Sequence, residues 1–177
     1  MIYKQIYYTP NDFDNMLMTS NGKVLTGLCF IDSHEQTHQQ IDCESKNLAI
    51  FKDTCHWLDI YFTGKQPNFM PTYEVENMTL FRKEVFDIML SIPFGKVMTY
   101  GDIATKIAIS HGIKKMSARA VGGAVGWNPL CIIIPCHRVI GANKKLTGYG
   151  GGMKNKIALL ALEGNDLSQF SIPKEKI

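Results

Sequence analysis

The segment VMTYGDIATKIAISHGIKKMSARAVGGAVGWNP, Val97 to Pro129, holds two helix starts separated by a glycine-containing turn. Thr99 and, three residues later, Asp102 have the spacing of a capping box, which satisfies backbone N–H groups that a helix start leaves without intrahelical partners. HGIKK, residues 111–115, makes a turn, and a second short helix begins at about Ser117. Helix, turn and helix in this order outline a helix-turn-helix, an outline that many helical hairpins share. The second helix breaks a local rule. Gly122, Gly123 and Gly126 each cost about 1 kcal/mol relative to alanine inside a helix. Either they admit another helix at close range, or they keep this helix slim enough to enter a nucleic-acid groove with Arg119 projecting. A long basic side chain among small residues favours the groove.

Upstream, Phe81, Val85, Ile88 and Ile92 fall on one face of a helix that Pro93 and Gly95 end. GKQPNFMPTYEVEN, residues 64–77, carries two prolines and little periodicity and reads as a linker. In MLMTSNGKVLTGLCF, Met16 to Phe30, two apolar runs flank Asn21-Gly22, the signal of a hairpin with a two-residue loop. Leu48, Phe51, Cys55, Leu58 and Phe62 have helical spacing, with Gly64 as the stop. Charge divides at the same place. Residues 1–76 hold 5 Lys/Arg against 10 Asp/Glu, whereas residues 77–177 hold 14 against 6, so the second half is the candidate for a polyanionic partner. The expected fold is α/β (α+β). A small N-terminal strand–helix domain with an antiparallel sheet, residues 1–76 including the linker, precedes a mainly helical domain, residues 77–177.

Downstream, IIIPCHRVIG, Ile132 to Gly141, reads as an apolar strand that ends in proline and then presents Cys136, His137 and Arg138 together. A thiol is a nucleophile only as thiolate, so something must take its proton. Neighbours on an extended strand point to opposite sides; a turn at Pro135 or a bridging water would bring imidazole and thiol into proton-transfer range. MKNKIALLALEG, residues 153–164, reads as a helix with Met153, Ile157, Leu160 and Ala161 on its inner face and Gly164 closing it. Glu163 then sits in the last turn, where the helix dipole disfavours a carboxylate. Exposure to solvent makes that harmless; a histidine partner makes it useful, as the third group that orients a base. By spacing alone a Cys-His pair is more often a buried thiol beside a satisfied histidine. LTGYGGG, residues 146–152, lacks the Lys-Ser/Thr pair of a phosphate-binding loop and reads as a mobile loop carrying Tyr149.

Cysteines at 29, 43, 55, 131 and 136 are odd in number and irregular in spacing, so reduced thiols are expected rather than a disulfide framework. Cys43 with Cys55-His56 is a weak zinc-ligand set, and a zinc-free protein without cofactor is expected. No apolar run approaches the roughly 20 residues of a membrane span, and MIYKQIYYTPNDFD lacks a signal-peptide pattern, which makes the cytoplasm the expected location.

VMTYGDIA, SARAVGGAVGWNP, IIIPCHRVIG, LTGYGGG and LLALEG together resemble, in order and over about residues 80–165, the O6-alkylguanine-DNA alkyltransferases, also called methylated-DNA–protein-cysteine methyltransferases. The N-terminal part is similar only in size and coarse strand–helix pattern. The resemblance implies that Cys136 accepts an alkyl group, that His137 removes its proton through a water, and that Glu163 holds His137. It implies that Asn128 ties the recognition helix to the cysteine segment, and that Arg119 intercalates where a damaged base has been flipped out. Tyr100 would press on the backbone phosphate and protonate the leaving guanine. Ser117, Ala118 and Gly122, with the neighbouring Gly123, would line the DNA face in the minor groove. Val125, Val139, Tyr149 and Gly150 would form the substrate pocket with Cys136. The implied reaction is one irreversible transfer per molecule from O6-alkylguanine, or O4-alkylthymine, in double-stranded DNA, by a monomer without cofactor.

Gly126 stands where some members have a second arginine, and Trp127 where smaller or polar residues are common. The upstream phosphotriester-repair domain of some relatives has no counterpart here, so no transcription-regulating role is expected. The principal rival is a non-enzymatic protein that binds alkyl lesions, a type that resembles the same motif but lacks the acceptor cysteine. A cysteine hydrolase would need turnover, and a plain helix-turn-helix regulator would not need Cys136.

Overall fold

The computed structural model describes residues 1–10, 12–31, 33 and 43–173. Strands β1 (Ile2–Tyr7), β2 (Met16–Ser20) and β3 (Leu25–Phe30) form an antiparallel meander, and β4 (Cys43–Ser45) adds to β1 in parallel, giving the order β3-β2-β1-β4. The β2–β3 hairpin is present, but Ser20 pairs with Leu25, so its loop has four residues rather than the two expected from Asn21-Gly22. Side chains explain the longer loop. Asn21 Oδ1 accepts from the N–H groups of Lys23 and Val24, Ser20 Oγ accepts from Gly22 N, and Gly22 adopts φ +98°.

Helix α1 (Ala49–Tyr61) packs Ile50, Phe51, Trp57, Leu58 and Tyr61 into the core. The expected linker is not loose. Glu74 N donates to Leu25 O at 2.9 Å, Leu25 N to Thr72 O at 3.0 Å, and Trp57 Nε1 to Phe69 O at 2.9 Å. These bonds cover part of the edge of β3, which would otherwise expose unpaired backbone groups. Helix α2 (Leu80–Leu90) is capped by Thr79 and buries Val85, Phe86 and Met89; of the expected face, Phe81 and Ile88 pack on the core at its margin, and Ile92 is buried beyond the helix end.

Strand β5 (Met98–Thr99) leads into α3 (Tyr100–Ser110), where both hydrogen bonds of the Thr99–Asp102 capping box form. A turn follows, and α4 (Ala118–Gly126) starts at the Ser117 cap and packs on α3 and α2, completing the helix-turn-helix. Strand β6 (Val139–Ile140) pairs in parallel with β5, and α5 (Met153–Leu162) closes the C-terminal region. The buried face of α5 is wider than expected: Leu160 is buried and Met153 and Ile157 pack beside it, but Asn155, Lys156 and Leu159 are buried too, and Ala161 is exposed.

One buried apolar cluster takes in the sheet, α1 to α4 and residues 130–139, so both halves share a core. A backbone bridge reinforces it: Leu28 N donates to Pro129 O at 2.8 Å and Cys131 N to Leu28 O at 2.9 Å. The segment before Cys136 is thereby fixed to the N-terminal sheet.

Candidate active site

The apolar run that ends at Pro135 is a tight turn rather than the expected strand. Ile132 has φ +69°, a conformation costly for a β-branched residue, and Ile133 N and Ile134 N donate back to Cys131 O and Leu130 O. Pro135 (φ −82°, ψ 64°) then starts a single 3-10 turn, Cys136–Arg138, and only after it does the chain extend into β6. The nucleophile candidate therefore precedes a strand instead of ending one. Burial and β-branching read the same in both cases; the side-chain clasp of Asn128 and the distant bridge to Leu28 separate them. Asn128 Nδ2 donates to Ile134 O at 2.8 Å and lies 3.1 Å from Cys136 Sγ, while its Oδ1 accepts from Leu130 N at 3.0 Å. Asn128 thus joins the end of α4 to the cysteine turn.

His137 is fully buried, and its Nε2 lies 2.7 Å from Glu163 Oε1. Glu163, the residue that caps α5, is also buried, so solvent does not explain its place at the negative end of a helix. Partners do. Arg138 Nε donates to Glu163 Oε2 at 2.9 Å, its second nitrogen to Oε1 at 2.9 Å, Tyr61 Oη to Oε1 at 2.7 Å and Gly95 N to Oε2 at 3.1 Å. Burial opposes the carboxylate charge, but the hydrogen bonds and charges of His137 and Arg138 outweigh it and hold Glu163 down at about 2. An ionised Glu163 accepts only, so Nε2 of His137 carries the hydrogen between them. Nδ1 is then the basic nitrogen, and it has no hydrogen-bond partner among the described residues. Burial holds the imidazole below its ordinary value against the pull of Glu163, so it is neutral at pH 7.

Four supporting residues had no role in the sequence reading. Arg138 stands in the quoted motif, yet nothing in the pattern says that its guanidinium turns inward to Glu163 and to Ile92 O at 2.7 Å. Tyr61 looks like an ordinary core aromatic on α1. Lys156 is fully buried and donates to Val139 O at 2.7 Å; burial lowers it to about 8, with the charge of Cys136 pulling the other way. Gly95, expected only as a helix stop, has φ +73°, and a Cβ on it would lie 2.7 Å from Glu163 O. A carboxylate misplaced at the C-terminal end of a helix was the signal that could have led to the arginine, since a buried one without a cationic partner is too costly to keep.

Tyr100 is the first residue of α3, half-buried, with its phenol pushed up chiefly by burial and further by Cys136. The β5–β6 pairing, with Met98 opposite Val139 and Thr99 opposite Ile140, brings that helix start alongside the cysteine turn. Val125 and Val139 are buried, and Tyr149 and Gly150 are partly so. Ser117, Ala118 and Arg119 are exposed at the start of α4. No atom comes within 4 Å of a Cβ built on Gly123 or Gly126, and Gly122 meets only the Tyr100 ring, at 3.8 Å. Close packing on another helix does not account for these glycines. Trp127 lies under Arg82, whose Cζ is 3.8 Å from the indole centroid. Among the described residues no group of three or more His, Cys, Asp and Glu could hold a metal ion; the side chain of Cys43 lies outside the described part. No described helix is long and apolar enough to cross a membrane.

A buried cysteine next in sequence to a carboxylate-bonded histidine, behind a helix-turn-helix with an open glycine face, defines a helix-turn-helix protein built around a buried thiol. Residues 80–165 match the 6-O-methylguanine DNA methyltransferase DNA binding domain, and residues 2–72 match the ribonuclease-like domain of the same enzymes. The chain is 40% identical over 149 residues to a methylated-DNA–protein-cysteine methyltransferase of Mycobacterium tuberculosis (strain ATCC 25618 / H37Rv), covering 84% of this chain and 85% of that protein. Its identity to the Methanosarcina barkeri protein of the same name is 39% over 152 residues, 86% of this chain and 92% of that one. The fold superposes on Mycobacterium tuberculosis OGT in complex with DNA with a TM-score of 0.74 at 35% identity, covering 96% of this chain and 94% of that one. The chain belongs to the methylated-DNA–protein-cysteine methyltransferase family.

Proposed function

We propose that this protein repairs DNA by direct reversal, moving the alkyl group of O6-alkylguanine in double-stranded DNA to Cys136 once and irreversibly. The observation that carries the reading is the 2.7 Å contact between Glu163 Oε1 and His137 Nε2: an ionised carboxylate there places the hydrogen on Nε2 and leaves the Nδ1 lone pair to act as a base. Through a bridging water Nδ1 takes the Cys136 proton, and the imidazolium that forms is stabilised by Glu163. The sulfur attacks the alkyl carbon in line; the C–S bond forms as the C–O6 bond breaks, and the electron pair leaves with guanine. Tyr100 gives its proton to that leaving group. A phenol raised by burial remains a neutral donor at pH 7, which suits the task. Lys156 offers the transient thiolate a counter-charge. The thioether has no hydrolytic escape, so the cysteine is consumed.

A base stacked in a duplex cannot reach a buried sulfur, so the nucleotide must be flipped at a cost of a few kcal/mol. Arg119 fills the vacated stack and adds attraction to phosphates, while Ser117, Ala118 and Gly122 let α4 lie in the minor groove. Val125, Val139, Tyr149 and Gly150 bound the base pocket. Residues 77–177 bind DNA and accept the alkyl group, and residues 1–76 support them, a division that the two family matches favour. Every group named comes from one chain, so a monomer suffices, and the cytoplasm is the location that goes with this reading. Cys136 in this setting favours transfer over mere lesion binding.

Incubation with a duplex containing O6-methylguanine should add one methyl mass to the Cys136 peptide, with one lesion repaired per molecule. Cys136→Ser should still bind the duplex and show no transfer. Many lesions processed per molecule, or an unmodified Cys136 after repair, would end this reading.

A further inference from the structure

Glu163 Oε1 receives more than one charge-sharing donor, and one of them comes from the other half of the molecule. The Tyr61 hydroxyl, at the end of α1, donates to Oε1 at 2.7 Å and lies 3.3 Å from His137 Nε2, so phenol and imidazole share one carboxylate oxygen. Tyr61 has no freedom to be elsewhere: it is fully buried, stacked on Trp57 at 5.5 Å and edge-on to Phe94 at 5.9 Å and to His137 at 6.4 Å. A core aromatic on an α1 face needs no hydroxyl. We propose that Tyr61 is a positioning residue of this site, whose hydroxyl takes part of the Glu163 charge and so keeps the His137 imidazole available as a proton acceptor.

The proposal rests on the reading of Cys136 as alkyl acceptor and His137 as its base. A carboxylate beside a histidine stabilises the imidazolium, and a buried, fully devoted carboxylate would do so strongly enough to protonate the base before it is needed. The groups facing His137 are Glu163 and Lys156 at α5, Arg138 and Cys136 on its own turn, and Tyr61 on α1, with Cys131 beside Tyr61. Arg138 and Lys156 oppose a proton on the imidazole, and Glu163 alone favours it. Tyr61 is the neutral group that moderates Glu163. Burial, reinforced by Glu163, raises its phenol well above the ordinary value, so it remains a donor throughout the working range.

Tyr61→Phe removes only the hydroxyl. Glu163 then favours the imidazolium more, the histidine titrates at higher pH, and the acid limb of the reaction moves upward. Single-turnover alkylation of the full chain by free O6-benzylguanine, followed between about pH 5 and 8.5, should slow roughly threefold at the acid end and be unchanged or slightly faster at the alkaline end, since a stronger base is also the better one once neutral. Duplex affinity should be unchanged. An equal loss at every pH, the mark of a merely structural role, overturns the proposal, as does an unchanged profile or a shift of the limb to lower pH. Histidine ¹⁵N titration of the two proteins reads the same equilibrium without substrate: His137 should titrate higher in Tyr61→Phe, and an equal or lower midpoint overturns the role of Tyr61 even if no alkyl transfer is found. Failure of the wild-type protein to alkylate Cys136 at any pH strikes the functional reading instead. If Tyr61→Phe does not fold, the wild-type protein decides. A downfield Tyr61 hydroxyl proton with an Overhauser contact to the His137 Nε2 hydrogen supports the sharing, and its absence refutes it.

Discussion

Two regions of this molecule handle charge in opposite ways. Around Cys136, the ionisable groups His137, Arg138, Lys156 and Glu163 are all buried, and each is held by named hydrogen bonds. At the start of α4, Ser117, Ala118 and Arg119 stand in solvent, and open space surrounds Gly123 and Gly126. The first region is finished before any ligand arrives; its geometry is preorganised for a proton transfer and a displacement. The second is unfinished and waits for a partner to supply its counter-charges. A buried cluster senses pH and is little affected by salt, whereas an exposed cationic face senses salt.

The largest effect that tests this contrast is on acid stability. Glu163 titrates at about 2 in the folded chain against an ordinary 4.5, so the folded state binds its proton less readily than the unfolded state does. Its contribution is fully present above about pH 4.5 and is lost as pH falls toward 2. The size is about 3 kcal/mol, a factor of more than 100 in the folding equilibrium. Denaturant unfolding of wild-type protein and Glu163→Gln should therefore differ most near pH 7 and converge at low pH, at all salt concentrations. A constant gap would mean that the carboxylate charge is not what Arg138 and His137 hold.

Next in size is the rate. Glu163→Gln keeps the shape of the side chain but removes the charge that fixes the His137 tautomer and stabilises the imidazolium. Alkyl transfer should slow by about 100-fold, within the range of general-base contributions, while affinity for a lesion-bearing duplex changes less than about twofold. Stopped-flow quenching with labelled DNA, alongside a binding titration, separates the two. A fall in affinity equal to the fall in rate would place Glu163 on the wrong side of the comparison.

The two regions were also unequally legible in the sequence. The α4 face could be read from local rules: the Thr99–Asp102 box, the Ser117 cap and three glycines where a helix should not want them all concern contacts within a few residues, or the lack of contacts. The buried cluster is built from long-range contacts. Cys136, His137 and Glu163 emerged only because a motif and a misplaced carboxylate drew attention to them. Tyr61 kept the period of a core aromatic, and Lys156 lay outside the inner face expected of its helix, Met153, Ile157, Leu160 and Ala161. The strand expected before Cys136 failed for the same reason. Ile132 to Ile134 are apolar and β-branched in either conformation, and the turn is imposed by Asn128 and by the bridge to Leu28, which no local pattern contains.

The smallest of the three effects sharpens the exposed side. Arg119 is exposed and has no hydrogen-bond or ion-pair partner among the described residues, so replacing it should leave stability and the chemistry of the cluster untouched. Arg119→Ala should slow repair of duplex DNA by about tenfold, the loss of one stacking and phosphate contact worth roughly 1–2 kcal/mol, yet leave the reaction with free O6-benzylguanine within about twofold. Raising salt from about 50 to 200 mM should slow the wild-type duplex reaction, and the variant should show a shallower slope by about one counterion. If the free base and the duplex lose rate equally, Arg119 acts on the cluster and the two regions are not separable. If the duplex alone suffers but the salt slope stays the same, its part is stacking rather than charge, and the cations that meet the phosphates must be sought elsewhere on the basic half.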